Sequence, residues 1–171
     1  HDIIVDHMSD LSGDQFPILS EEGIDIPFKQ RSKWEYFWLV DPLDGTKEFV
    51  KRNGEFTVNI ALVRRNRPAL GVVYVPVKDV LFFAAEGLGA YKSDSSDVFE
   101  LINDKALEKE RVKLLRTLID RSIKLPVYHP QITTQLTIVG SRSHSTQELD
   151  DFVEEMKKKY ERVKFISAGS S

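Results

Sequence analysis

Cysteine is absent from this sequence. That excludes a disulfide framework, a thiolate-held zinc and a cysteine nucleophile. No apolar run approaches the roughly 20 residues that a membrane-crossing helix needs, and no signal-peptide pattern opens the chain. These absences fit a cytoplasmic protein, or one peripheral to a membrane. Charge of one sign is also lacking: 24 Lys and Arg stand against 27 Asp and Glu, a net charge of -3. So mild an acidity argues against gripping a nucleic acid polymer through a basic face. It leaves room for a small anionic ligand, provided metal ions supply the compensating charge. Internal repeats and an initiating Met are missing too. What is present suits one domain, or one domain plus part of another: 171 residues, 41% hydrophobic and 30% charged.

The chain begins with what reads as the closing turns of a helix, His1 to Met8. Residues 16–20 read as a short strand leading into Glu21-Glu22-Gly23, and a polar loop follows. Tyr36-Phe37-Trp38-Leu39-Val40 is a continuous apolar run, the pattern of a strand buried on both faces. It ends abruptly at Asp41. A short helix is expected from about Gly45 to Val50. Three strands separated by turn residues come next: Thr57 to Val63, Leu70 to Val75 and Val80 to Ala85, with a return at Ala90-Tyr91. This is the signature of an antiparallel meander. The Ser/Asp-rich stretch 93–98 reads as a surface loop. Helical periodicity spans about Glu108 to Ile119, with Leu107, Leu114, Leu115 and Leu118 on one side. Leu136 to Val139 reads as a strand. The clearest helix runs from Ser145 to about Tyr160, with a capping-box pattern at Ser145 and Glu148 and apolar residues at 149, 152, 153, 156 and 160. Val163 to Ile166 is the last strand, and Ser167 to Ser171 is a loop of small residues.

The run that carries chemistry is Asp41-Pro42-Leu43-Asp44-Gly45-Thr46. Two carboxylates three residues apart follow a strand, and Pro42 stiffens the turn between them. Such a turn can aim Asp41, the Leu43 carbonyl and Asp44 at one point, an all-oxygen set suited to magnesium. Gly45-Thr46 then opens a helix whose free N–H groups favour a phosphate. Metal ligands beside an anion-binding turn are what phosphoryl hydrolysis requires. The D-x-x-D spacing alone is better explained by a helix capped by Asp44 after a strand; the complete six-residue string, set between strand and helix, reverses that preference.

With that string the chain resembles the inositol monophosphatase superfamily of metal-dependent phosphatases. The continuation Lys47-Glu48-Phe49 is similar to the bisphosphate nucleotidase branch, whereas inositol monophosphatases usually continue with Thr-Asn-Phe. The likeness takes in Leu19-Ser20-Glu21-Glu22, Gly87-Leu88-Gly89-Ala90-Tyr91 and Gly140-Ser141-Arg142-Ser143-His144-Ser145. It implies that Glu21, Asp41 and the Leu43 carbonyl surround one metal. It also implies that Asp41 bridges to a second metal bound by Asp44. Thr46 would orient the attacking water, the Gly45 and Thr46 amides would hold the phosphate, and Ser141 and His144 would contact the nucleotide. His1, His7 and His129 have no such context and read as structural or solvent-facing; Trp34 and Trp38 read as core residues.

The implied function is magnesium-dependent removal of the 3'-phosphate from 3'-phosphoadenosine 5'-phosphate by a metal-activated water, with two or three magnesium ions in an intact member. An inositol or sugar phosphate monoesterase of the same superfamily is the alternative, and a non-catalytic truncated scaffold is a third. The expected fold is α/β in the broad (α+β) sense: a mixed, largely antiparallel sheet flanked by helices, incomplete at both termini. Residues 1–93 would form the metal- and phosphate-binding part, and 94–171 the start of a second, nucleotide-side part. A Thr-x-x-Asp segment is expected upstream of residue 1 and a Trp-Asp segment downstream of Ser171. Homodimers are common among relatives.

Overall fold

Turn residues cut the β-rich middle of the chain into strands of similar length, and those strands pair in sequence order. The computed structural model describes residues 1–12, 15–104, 110–126, 135–141 and 146–169. Helix α1 (Asp2–Ser12) leads to strand β1 (Ile18–Ser20), and a single helical turn, α2 (Phe28–Arg31), precedes β2 (Tyr36–Asp44). Helix α3 (Thr46–Lys51) follows at once, then β3 (Thr57–Arg64), β4 (Arg67–Val75), β5 (Val80–Ala85) and β6 (Gly89–Asp94). Helices α4 (Ser95–Asn103) and α5 (Arg111–Arg121) come next, and the short strand β7 (Ile123–Leu125). The final elements are β8 (Gln135–Ser141), α6 (Gln147–Lys159) and β9 (Arg162–Ala168).

The first seven strands form one sheet in the order of the chain. All neighbours are antiparallel except β1 and β2, which run parallel. The sheet is therefore mixed and largely antiparallel, as expected. Strands β8 and β9 form a separate parallel pair, and α6 is the crossover that a parallel connection requires. Gly140 lets that pair close on its neighbours: a Cβ there would lie 2.7 Å from the Phe165 ring and 2.9 Å from Leu149 Cδ2.

Several expectations need correction. The run Tyr36 to Val40 is not buried on both faces: Val40 is 1% exposed, but Leu39 is 43% exposed. Tyr36, Phe37 and Trp38 are half-buried. Residues 93–98 are not a loop. They end β6 and begin α4, and Ser93 and Ser95 are buried. Ser95 Oγ donates to the Asp79 carboxylate, and the Ser95 N–H donates to the Asp79 carbonyl at 2.9 Å. Asp79, in a left-handed turn (φ 54°), thus satisfies Ser95, while the Ser93 hydroxyl donates to the Asp94 carbonyl at 3.3 Å. Helix α6 is capped by Thr146, whose Oγ1 accepts the Leu149 N–H at 3.3 Å; Ser145 lies outside the described residues, as do Leu107 and His129. Trp34 and Trp38 are half-buried, and Trp34 packs against Phe37 with ring centroids 5.7 Å apart.

Candidate metal and phosphate site

The parallel pairing of β1 with β2 sets Ser20 opposite Val40. One residue further on, the Glu21 N–H donates to the Val40 carbonyl at 3.0 Å, which brings Glu21 level with Asp41. The Asp41 side chain is the main reason why the Glu21 carboxyl holds its proton above the usual carboxylate range, through hydrogen bonding first and then through its charge; burial and the charges of Glu22 and Asp44 push the same way. Two carboxylates at hydrogen-bond distance cannot both ionise freely unless a cation lies between them.

A sheet has a side-chain period of two, so residues 41 and 44 of a regular strand would point to opposite faces. The pairing of β2 with β3 prevents this. Asp41 stands opposite Asn59 and Asp44 opposite Thr57, with a register shift between them. Three steps along β2 thus match two along β3, a one-residue bulge at Pro42-Leu43. Pro42 has no N–H to give the ladder, which suits it to a bulge. Asn59 and Thr57 are two apart and share a face, so the bulge brings Asp41 and Asp44 to that same face. The Asp41 carboxylate accepts the Leu43 N–H at 3.1 Å and closes the turn. Asp44 Oδ2 accepts from Asn59 Nδ2 at 3.1 Å and from the Thr57 hydroxyl at 3.4 Å.

Gly45 follows with φ 92°, a left-handed conformation that glycine adopts without the strain of a Cβ. It swings the chain from β2 into α3, where Gly45 and not Asp44 takes the N-cap position. The Glu48 and Phe49 N–H groups both return to the Gly45 carbonyl at 2.9 Å. Thr46 Oγ1 donates to the Leu43 carbonyl at 3.3 Å, which leaves the hydroxyl oxygen able to accept. With six residues α3 is too short for a large macrodipole. An anion at this turn would meet the individual amides at its start.

Glu21, Asp41, Leu43, Asp44, Gly45 and Thr46 therefore come together where β1, β2 and α3 meet. Ser141 ends β8, in the separate β8–β9 pair, and His144 lies outside the described residues. Sequence reasoning missed Thr57 and Asn59, which hold Asp44 in place. The available signal was two polar residues at alternate positions in the otherwise apolar start of β3. It also missed the burial of Glu48, which is 2% exposed. Of the histidines read as structural, His1 Nδ1 lies 3.0 Å from Ser20 Oγ, and His7 Nδ1 lies 2.8 Å from the Ile3 carbonyl.

The donor chemistry fits a hard divalent cation. Glu21, Asp41, Asp44 and the Leu43 carbonyl offer oxygen only, as magnesium prefers. Among the described residues no three His, Asp or Glu side chains are grouped closely enough to hold an ion by themselves. Phosphate and water would complete the shell, in keeping with magnesium's habit of retaining water. One test needs no turnover. Because Glu21 holds its proton more tightly in the folded chain, metal-free stability falls as pH rises from the ordinary glutamate range upward. Glu21→Gln removes that repulsion. In metal-free buffer at neutral pH it should melt at or above the parent's temperature, and it should lose the rise in melting temperature that magnesium gives the parent. A variant stabilised by magnesium as strongly as the parent would remove Glu21 from the ligand set.

The family model described as "Inositol monophosphatase family" matches residues 1–171. The chain belongs to the inositol monophosphatase family. Within it, the chain is 48% identical over 143 residues to the 3'(2'),5'-bisphosphate nucleotidase CysQ of Shigella flexneri, covering 82% of this chain and 55% of that protein. The Salmonella typhimurium protein of the same name is 40% identical over 157 residues, 91% of this chain and 51% of the relative. The chain thus spans about half the length of these curated relatives. Among solved structures, CysQ from Bacteroides thetaiotaomicron, described as a bacterial member of this family, matches with a TM-score of 0.78 at 40% identity. The match covers 96% of this chain and 57% of that one. An IMPase of Thermotoga maritima shares the fold, with a TM-score of 0.63 at 24% identity over 99% of this chain and 51% of its own.

Proposed function

We propose that this chain carries the metal- and phosphate-binding portion of a magnesium-dependent phosphatase that removes the 3'-phosphate from 3'-phosphoadenosine 5'-phosphate. The observation that carries the reading is the bulge that turns Asp41 and Asp44 to one face, with Glu21 drawn alongside by the parallel strand. Glu21, Asp41, Asp44 and the Leu43 carbonyl would hold magnesium, which when bound supplies a Lewis acid to the phosphate and to the attacking water. The Gly45 and Thr46 amides hold the phosphate oxygens. Thr46 Oγ1, tied through its proton to the Leu43 carbonyl, accepts a hydrogen bond from the water and orients it. Attack of that water on the 3'-phosphate would be direct, with no phosphoenzyme. Residues 1–93 supply this part, and the segment from 94 onward supplies the side that meets the nucleoside, with Ser141 and His144 among its contacts. Support for this substrate comes from the bisphosphate nucleotidase names of the relatives at 40% identity and above.

A phosphate-release panel with magnesium tests the reading. 3'-Phosphoadenosine 5'-phosphate should be cleaved in preference to inositol 1-phosphate and sugar phosphates. Release from inositol 1-phosphate but not from the nucleotide would establish the inositol phosphatase alternative. Calorimetric titration with magnesium runs beside it, and neither turnover nor metal binding would leave a scaffold.

A further inference from the structure

Glu48 of α3 and Glu55, four residues beyond its end, have no part in the catalysis proposed above. Glu48 is buried, and its carboxylate accepts from the Asn53 side-chain amide and lies 3.7 Å from Lys51 Nζ. Asn53 Oδ1 in turn accepts the Glu55 N–H at 3.0 Å. Onto this network comes the residue after β9. The Gly169 N–H donates to Glu55 Oε2 at 2.6 Å, a bond between residues 114 apart in the chain. A Cβ on Gly169 would lie 2.6 Å from Glu55 Oε2 and 2.7 Å from Glu48 Cγ, so any side chain there would have to displace one of the two glutamates. A charge-assisted N–H···O bond this short is among the stronger ones a protein makes.

The place of this bond matters. In parallel sheets, ligands gather outside the carboxyl ends of the strands. Ser141 and Ala168 are register partners at the carboxyl ends of β8 and β9, so both strands deliver their ends at one level. Gly169 is the next residue, and Glu55 ties it to the element that begins with Thr46. We propose that Glu55 is a positioning residue. By holding the Gly169 amide it fixes the carboxyl end of the β8–β9 pair against α3, and so sets the spacing between the phosphate-holding turn and the groups that meet the rest of the substrate. Glu48, from the motif Lys47-Glu48-Phe49, is buried beneath the same contact. The kinetic consequence rests on the nucleotidase reading above; the docking itself does not.

Two measurements keep the two ideas apart. Amide hydrogen exchange on the 171-residue chain reads the docking alone. In Glu55→Ala, exchange at Gly169 should quicken by about 10-fold or more, in keeping with the loss of a hydrogen bond to a charged group, while Val139 and the other β8–β9 amides keep the parent's rate. Glu55→Gln retains an acceptor oxygen and should restore most of the protection. Kinetics on the protein containing this chain reads the spacing. Glu55→Ala should raise KM for 3'-phosphoadenosine 5'-phosphate by roughly 10-fold with kcat little changed, and leave KM for p-nitrophenyl phosphate, which needs only the phosphate turn, within about twofold. Gly169→Ala, which pushes the same contact apart without touching the carboxylate, should show the same split and serves if Glu55→Ala does not fold. Unchanged exchange at Gly169 in Glu55→Ala, or an equal rise in KM for both substrates, overturns the positioning role. A parent that never cleaves the nucleotide but loses Gly169 protection in Glu55→Ala overturns the substrate reading and its kinetic consequence and keeps the docking.

Discussion

Asp41→Asn should lower magnesium-dependent phosphate release by about three orders of magnitude, the size of several kcal/mol of lost transition-state stabilisation. The substitution is well suited to the question because it preserves shape. An asparagine Oδ1 can still accept the Leu43 N–H that closes the turn at 3.1 Å, so the bulge and its neighbours stay in place. What disappears is the negative charge at the centre of the oxygen cluster. Circular dichroism and melting should therefore look like the parent. Removing one of two adjoining carboxylates also returns Glu21 toward the ordinary carboxylate range, because the hydrogen bond and charge of Asp41 are the main causes of its displacement. Phosphate release assayed against magnesium concentration is the measurement. Activity within tenfold of the parent at saturating magnesium would refute the assignment of Asp41 as a metal ligand.

The second large effect is on stability. Tyr91 on β6 is 7% exposed and stacks on Phe83 of β5, with centroids 5.4 Å apart and ring planes at 19°. Its hydroxyl donates to the Leu88 carbonyl at 3.1 Å, which pins the Gly87-Leu88-Gly89 turn. Tyr91→Ala removes a large buried ring, and such truncations cost about 3–5 kcal/mol. Against a typical net stability of about 5–15 kcal/mol this is a large fraction. The melting temperature should fall by about 6–20 °C for a chain of this size. Tyr91→Phe keeps the stack and loses only the turn bond, for about 0.5–1.5 kcal/mol. Urea titration of the three proteins separates the terms. Equal losses in the Ala and Phe variants would show that the hydroxyl, and not the ring, carries the stability.

The meander was legible because its information is local. Arg64 to Pro68 and Gly87 to Gly89 carry turn chemistry, and the strands between them keep an apolar pattern over a few residues. The six residues from Asp41 to Thr46 were legible for the same reason, since their chemistry is contiguous. Ser93 and Ser95 were misread because composition alone equates serine with surface. Ser95 is satisfied by Asp79, in the turn just before β5, and Ser93 sits inside the β5–β6 pairing opposite Leu81. The roles of Thr57 and Asn59 needed the β2–β3 register, and that register contains a slip which no periodicity announces. Gly169 is the extreme case. Nothing near residue 169 in the sequence names Glu55, and only the folded chain brings the two together.

The bulge at Pro42-Leu43 has a consequence for how this site tolerates change. By taking Leu43 out of the interstrand ladder, it leaves a peptide carbonyl that accepts the Thr46 hydroxyl and, on the proposed function, would also serve as a metal ligand. A carboxylate can be deleted by a single nucleotide change, but a backbone oxygen cannot. Substitutions at position 43 that keep the turn would alter packing while leaving that donor where it is. One corner of the site is thereby protected from point mutation, and its vulnerability passes to the residues that shape the backbone. Pro42 and Gly45 are where a harmful change would act, though neither side chain offers an atom to the metal.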